Sequence, residues 1–366
     1  MARSDKDNPA KEHALRYCVA SGMLAYLEVD VFTSVELTAA PKKITDIDVL
    51  GIHMRQDGSL SRTLFDCKSA GGPAFARALW LSGLMNYVKA NEGVILMGKP
   101  AERAHRLAAR QLNINVFGAG GFDNYAIATN PEYKLLRSYA AVLENWLRVI
   151  DNSYRQPALA GIYAAIHEEV PLAVDPAKAL RRLVSRVLTY RGEMNPAKPF
   201  HMAAFLELVV AVSFLLNRMV NDLRNIMDLD EDEKNFASVL RYYVWGGPEG
   251  LAALRKMREL MGGDDSEADQ EVSLLAWPQL LQLVRGLLDA PTMIKNSTFA
   301  LRELSFRPVA EIAEEADHRI GRLFAAPRAR QFAKRIGSYT ASIMRLPQEF
   351  ANQAAEEIDL LVAEAG

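Results

Sequence analysis

The chain has 366 residues, of which 50% are apolar and 24% charged, with a formal net charge of -2 at pH 7. That composition is globular and excludes a collagen-like or wholly disordered chain. A total charge so near zero excludes a uniformly basic nucleic-acid coat but leaves room for local basic patches.

The length exceeds that of one ordinary hydrophobic core, so two domains are expected. Cys18 and Cys67 lie far apart with no C-x-x-C spacing, which speaks against a disulfide framework or zinc knuckle and fits a reducing cytoplasm. The polar start, Met1 to Pro9, does not read as a signal peptide, and a cytoplasmic protein is expected. The longest apolar run, Met202 to Leu216, is shorter than the roughly 20 residues that span a bilayer. It reads as a buried helix, and no membrane association is expected.

In chain order, Leu15, Val19, Met23 and Tyr26 recur at helical spacing and predict a helix from Glu12 to about Leu27, followed by an extended stretch from Val29 to Leu37. β-branched residues then concentrate at Ile44 to Ile52. Gln56-Asp57-Gly58-Ser59 is a turn signal before a strand at about Leu60 to Cys67, so the two strands form a hairpin. Pro73 opens a helix running to about Ala90. The short apolar run Gly93 to Met97, a helix at Ala101 to Gln111 and an extended segment at Leu112 to Phe117 complete an α/β domain with a mixed central sheet, residues 1–125.

Residues 126–366 read as an all-α domain for positioning substrate or binding a partner. Asn130-Pro131 opens its first helix, with Leu136, Ala140, Leu143, Leu147 and Ile150 on one face. Further helices are predicted at Pro157 to His167, Ala177 to Tyr190, Phe200 to Asn225, Glu231 to Val244, Leu251 to Met261, Leu275 to Leu288, Pro308 to Phe324 and Gln348 to Ala365. The acidic stretch Asp264 to Glu271 reads as a solvated linker.

The hairpin carries the chemistry. Successive side chains alternate faces along a strand, so Asp46 and Asp48 share one face in Ile-Thr-Asp-Ile-Asp-Val-Leu, as do Asp66 and Lys68 in Phe-Asp-Cys-Lys. Carboxylates on adjacent strands with a neighbouring lysine suit a magnesium ion and an activated water, the requirements of phosphodiester hydrolysis. The competing reading is a set of solvated surface charges. Against it, both motifs sit in apolar, β-branched segments where Asp is disfavoured.

Asp48 followed by Asp66-Cys67-Lys68 resembles the pattern of the PD-(D/E)XK, or restriction-endonuclease-like, nucleases, and the resemblance covers roughly residues 10 to 120. It implies that Asp48 and Asp66 ligate magnesium, with manganese as a substitute, that the Cys67 carbonyl completes the site, and that Lys68 is catalytic. Glu12 matches the added helical acid of many members, and its rival reading is a first-turn acid favoured by the helix dipole. Ile47 replaces the family's proline. Asp46 is an additional acid that could take the place of Asp48 or sit beside it.

Two phosphate-loop patterns are rejected. Gly93 to Pro100 has Pro100 where a P-loop needs Ser or Thr, and reads as a core strand. Gly118-Ala-Gly120-Gly121-Phe-Asp lacks the third glycine of a dinucleotide fingerprint and a following helix, and reads as a hinge between domains. The six histidines show no paired metal spacing and read as surface or capping residues.

Arg103, Arg106 and Arg110 present one helical face near the sheet that could clamp a phosphate backbone. His318 to Gln348 has seven Arg or Lys and no Asp or Glu, interleaved with Phe324, Phe332 and Tyr339, which suit either base stacking or a helical core. The expected function is a magnesium-dependent endonuclease acting on DNA more than RNA, with a protein partner engaged through the helical domain and a homo-oligomer as a further expectation. The alternatives are an inactive nuclease fold serving as a nucleic-acid-binding scaffold, and a helical adaptor whose charged pairs are surface features.

Overall fold

The structure, a computed structural model, describes residues 5–33, 42–55, 59–69, 72–118, 120–228, 231–260, 274 and 276–366, with the backbone alone at 255 and 257–260. The turn at Gln56 to Gly58, the acidic stretch Asp264 to Glu271 and the end of the Val29 to Leu37 segment lie outside them. The chain forms two compact units. The first comprises residues up to Arg155 together with Arg302–Ile320, and the second is built from Gln156–Leu301 and Gly321–Gly366. The boundary expected at 125/126 lies inside the first unit.

In the first unit, α1 (Asn8–Ala20) is followed by the meander β1 (Leu24–Phe32), β2 (Lys43–Met54) and β3 (Leu60–Lys68). Then come α2 (Ala74–Val88), β4 (Glu92–Met97), α3 (Arg103–Arg110), β5 (Ile114–Gly118), α4 (Gly121–Thr129) and α5 (Leu143–Arg155). The sheet order is β1-β2-β3-β4-β5. The first three strands are antiparallel, whereas β4 and β5 run parallel to β3, each reached through a helical crossover. This is a mixed sheet in an α/β arrangement. The carboxyl ends of β3, β4 and β5 therefore open on one edge, where Lys68, Met97 and Gly118 stand in register.

Three local differences from the sequence reading have identifiable causes. The first helix stops at Ala20 because Gly22 turns left-handed, φ 65°, and Met23 N–H returns to the Cys18 carbonyl. This releases Leu24 to Leu27 into β1. The helix expected from Asn130 is only a 3-10 turn, Pro131–Tyr133. Leu136 to Ala141 instead form a non-helical segment, buried except at Arg137, in which Glu303 accepts from the Ser138 hydroxyl at 2.6 Å and the Ala140 N–H at 3.2 Å. A helix does follow the glycine cluster: Gly120, at φ 76°, leads into α4 within the same unit, so the cluster is a β5–α4 turn rather than a hinge between domains.

The second unit is helical, running through α6 (Pro157–Glu169), α7 (Pro176–Tyr190), α8 (Pro199–Arg224), α9 (Glu233–Trp245), α10 (Gly247–Leu260) and α11 (Trp277–Asp289). The chain continues as α12 (Pro291–Phe306), α13 (Glu314–Leu323), α14 (Pro327–Ile343) and α15 (Gln348–Ala365), of which the end of α12 from Arg302 and α13 up to Ile320 belong to the first unit. Helix α12 and the separate α14 were not anticipated. Helix α8 is long and apolar enough to cross a bilayer by composition, yet 89% of its most apolar window is buried inside the protein. It is packed by α6, α7, α11, α14 and α15, as a core helix is. The aromatics of the basic tract, Phe324, Phe332 and Tyr339, are also core residues, at most 5% exposed, which removes them as stacking platforms. Among the histidines, His167 and His201 are buried rather than superficial.

Candidate active site

The site forms where β2 and β3 part. Their pairing extends to Val49 opposite Phe65. One residue further on, the Asp48 carboxylate takes over from the ladder and accepts the Cys67 backbone N–H at 2.7 Å. Both hairpin carboxylates are buried, Asp48 at 7% and Asp66 at 4% exposure. Lys68 reaches back from the end of β3, its Nζ 3.6 Å from Asp48 Oδ2 and 3.3 Å from Asp7 Oδ2. Asp48, Asp66 and Lys68 are thus brought together as expected from their alternation along the strands.

Five groups not singled out from sequence, Asp5, Asp7, Lys11, Glu28 and Arg77, complete the cluster. Asp7 is the N-cap of α1 but makes no capping bond to its own helix. It accepts the Ser69 N–H at 2.6 Å and pairs with Lys68 instead. Lys11, one turn along α1, is 5% exposed and contacts Asp5 at 2.6 Å, Glu28, and Asp48 at 3.8 Å. Glu28 holds a left-handed backbone, φ 54°, inside β1, a conformation that is costly for a non-glycine residue and concentrates at functional sites. Arg77, on the first turns of α2, takes both oxygens of Asp66, with Nε donating at 2.6 Å. Spacing offered a faint signal for Lys11 and Asp7, both charged residues near the start of a helix that packs on the sheet.

Asp46 and Glu12 do not join this cluster. Asp46 is 42% exposed and pairs with Lys43 at 3.7 Å; the same lysine holds Asp30, its cross-strand partner in register, at 2.6 Å. Glu12 is exposed on α1. Arg103, Arg106 and Arg110 all lie exposed on α3, whose start follows the carboxyl end of β4. Cys67 is buried as a free thiol, and burial, reinforced by Asp48 and Asp66, pushes that thiol well above its ordinary range.

Electrostatics follow from burial among like charges. Burial pushes the Asp48 carboxyl up from 3.8 to about 6, against the lowering pull of the Cys67 N–H, Lys68 and Lys11. Burial alone would lower Lys68, but Asp48 and Asp7 outweigh it, and the ammonium is held above its usual range. The Arg77 guanidinium is likewise raised by its bond to Asp66. Asp5, Asp7, Glu28, Asp48 and Asp66 together face Lys11, Lys68 and Arg77, which leaves carboxylate in excess over cation.

Two glycines let the strand ends crowd this edge. A Cβ on Gly98 would lie 2.1 Å from the Ser69 carbonyl oxygen, and one on Gly118 would lie 2.6 Å from the Pro100 nitrogen. Gly93 to Met97 is a buried core strand, as read from the sequence, and the exposed Gly98-Lys99-Pro100 follows its end.

The donor set suits a hard divalent cation in kind. Magnesium binds through one or two carboxylates, keeping waters and substrate phosphates as its other ligands, and Asp48 with Asp66 supplies the carboxylates. Among the described residues no group of three or more His, Cys, Asp or Glu is assembled to hold a metal, and both Asp66 oxygens are engaged by Arg77. Occupancy would require Arg77 to release at least one of them. Compared with protein-family models, curated proteins and solved structures, the chain matches none.

Proposed function

We propose that the first unit is a restriction-endonuclease-like nuclease domain that hydrolyses phosphodiester bonds with magnesium, on DNA more than RNA. The observation that carries this reading is the convergence of Asp48, Asp66 and Lys68 where β2 and β3 diverge, on a helix–three-strand–helix–strand framework. Asp48 and Asp66 would hold the cation, with the Cys67 carbonyl as a further donor. When bound, it neutralises charge on the phosphoryl oxygens and makes a water more acidic. Lys68, steered by Asp48 and Asp7, orients the attacking water and stabilises the negative charge that builds at phosphorus. The exposed arginines of α3 steer the phosphate backbone toward this edge.

A second reading draws on a specific observation. Arg77 closes Asp66, and Lys11 stands beside Asp48, so basic side chains already occupy positions a cation would compete for. That arrangement favours an inactive nuclease fold acting as a nucleic-acid-binding scaffold. The two are separated by incubating the purified protein with linear, supercoiled and single-stranded DNA and with RNA, in magnesium or EDTA. Metal-dependent cutting that disappears in Asp66→Ala supports the enzyme, and binding without cutting supports the scaffold.

A further inference from the structure

Beside Lys68 lies a cavity of about 210 Å³, open at the carboxyl ends of β3, β4 and β5. A water molecule takes up roughly 30 Å³ of liquid, so the space exceeds what an ion or a single bridging water needs. Leu96, Met97 and Phe122 give it an apolar lining. Phe122 is held by edge contacts with Phe117 and Tyr17, at ring-centroid distances of 5.5 and 5.4 Å, so this wall is formed before any ligand arrives. Lys6 and Lys68 add two positive charges to the lining and Asp123 one carboxylate. His13, also in the lining, is fixed through Nδ1 by the Asp123 carboxylate at 2.9 Å and the Tyr133 hydroxyl at 3.0 Å.

An apolar slot with ammonium groups and a polar ring edge, continuous through Lys68 with the candidate site, matches a nucleotide: a flat base for the slot and a phosphate for the lysines. We infer that this cavity receives one unstacked base of the nucleic-acid strand whose phosphate lies at Lys68. The inference rests on the nuclease-fold reading of the site and adds a substrate preference to it. A base can enter only after leaving its stack, so single strands, frayed ends and mismatched positions are preferred over closed duplex.

The test scans one abasic residue through a single-stranded oligonucleotide. Binding is read by fluorescence anisotropy in EDTA and cleavage in magnesium, for wild type and for Ala10→Phe, which fills the cavity from α1. One abasic position is expected to weaken wild-type binding about tenfold or more, the usual effect of losing a stacked base. Ala10→Phe is expected to bind the intact strand that weakly and to be indifferent to the scan. A flat scan with wild type, which needs no folded variant, overturns the inference. So does a flat scan accompanied by tight binding of free deoxynucleoside monophosphate, which would make the cavity a free-nucleotide site. A flat scan with metal-dependent cutting removes the cavity assignment alone, whereas a position-dependent scan without cutting keeps it and removes the hydrolytic reading.

Discussion

Arg77 stands 11 residues beyond Asp66 and takes both of its carboxylate oxygens, so the innermost acid of the site is held by a guanidinium from the next helix. The pair is unequal in exposure, 5% for the Asp66 side chain and 29% for Arg77. Breaking such a pair from one side leaves a buried charge uncompensated. Arg77→Met is therefore expected to destabilise the metal-free protein by about 3 kcal/mol in chemical denaturation. Because the same substitution removes the group that competes for Asp66, magnesium should bind the variant more tightly by calorimetry. Weaker magnesium binding would show that Arg77 supports the cation instead of excluding it.

Asp48 makes the metal-free fold sensitive to pH. Its carboxyl ionises at about 6 when folded and near 3.8 otherwise, so between these values the folded state binds the extra proton. Stability then falls as pH rises through this window, by an amount on the order of 3 kcal/mol once both states are ionised. Asp48→Asn keeps an acceptor for the Cys67 N–H and abolishes the charge. In EDTA at pH 8 it should be more stable than wild type by on the order of 1–3 kcal/mol, and the advantage should vanish below pH 4. Denaturant melts across pH would show parallel wild-type and variant curves if desolvation of Asp48 were not the cause.

Gly98 permits the β4 end to pass against Ser69, where an added Cβ meets a backbone oxygen that cannot swing aside. Gly98→Ala is expected to cost about 3 kcal/mol, at the upper end of overpacking effects, and to displace Ser69 from Asp7. Thermal melting checks the first expectation. Loss of the protected Ser69 amide in hydrogen exchange checks the second.

What was legible in the sequence was governed by how locally each feature is determined. The hairpin strands were readable because a β-branched β2 and an apolar β3, separated by a turn signal, carry Asp48, Asp66 and Lys68 with fixed parity. Arg77 was not, because its partner depends on how α2 packs against the sheet beside β4, which no spacing rule specifies. Asp7 lay outside the helix expected from Glu12, and only the structure shows it at the N-cap of α1 and turned to the Ser69 N–H. Leu136 to Ala141 carried helical spacing, yet Glu303, far along the chain, satisfies that backbone in another conformation. Separate α12 and α14 were missed because Pro291 and Pro327 are first-turn residues that open them.

Arg103, Arg106 and Arg110 make a clear electrostatic prediction. Each phosphate contact contributes about 0.9 to the slope of log affinity against log salt on duplex DNA, and about 0.7 on a single strand. Replacing all three by alanine should reduce that slope by about 2 to 3 and weaken binding at low salt most. An unchanged slope in a salt titration would place the phosphate path elsewhere.

Lys68 tests the account most directly, because Asp48 and Asp7 position it and no packing role explains it. The measurement is the single-turnover cleavage rate on single-stranded DNA in magnesium, with EDTA controls, for wild type and Lys68→Ala shown by circular dichroism to be folded alike. Loss of one group that stabilises transition-state charge typically costs about 10²–10³ in rate. The account predicts cutting by wild type that requires magnesium and a fall of that size in the variant at saturating DNA. Equal cutting by both proteins, or none by wild type under any metal condition, would contradict it.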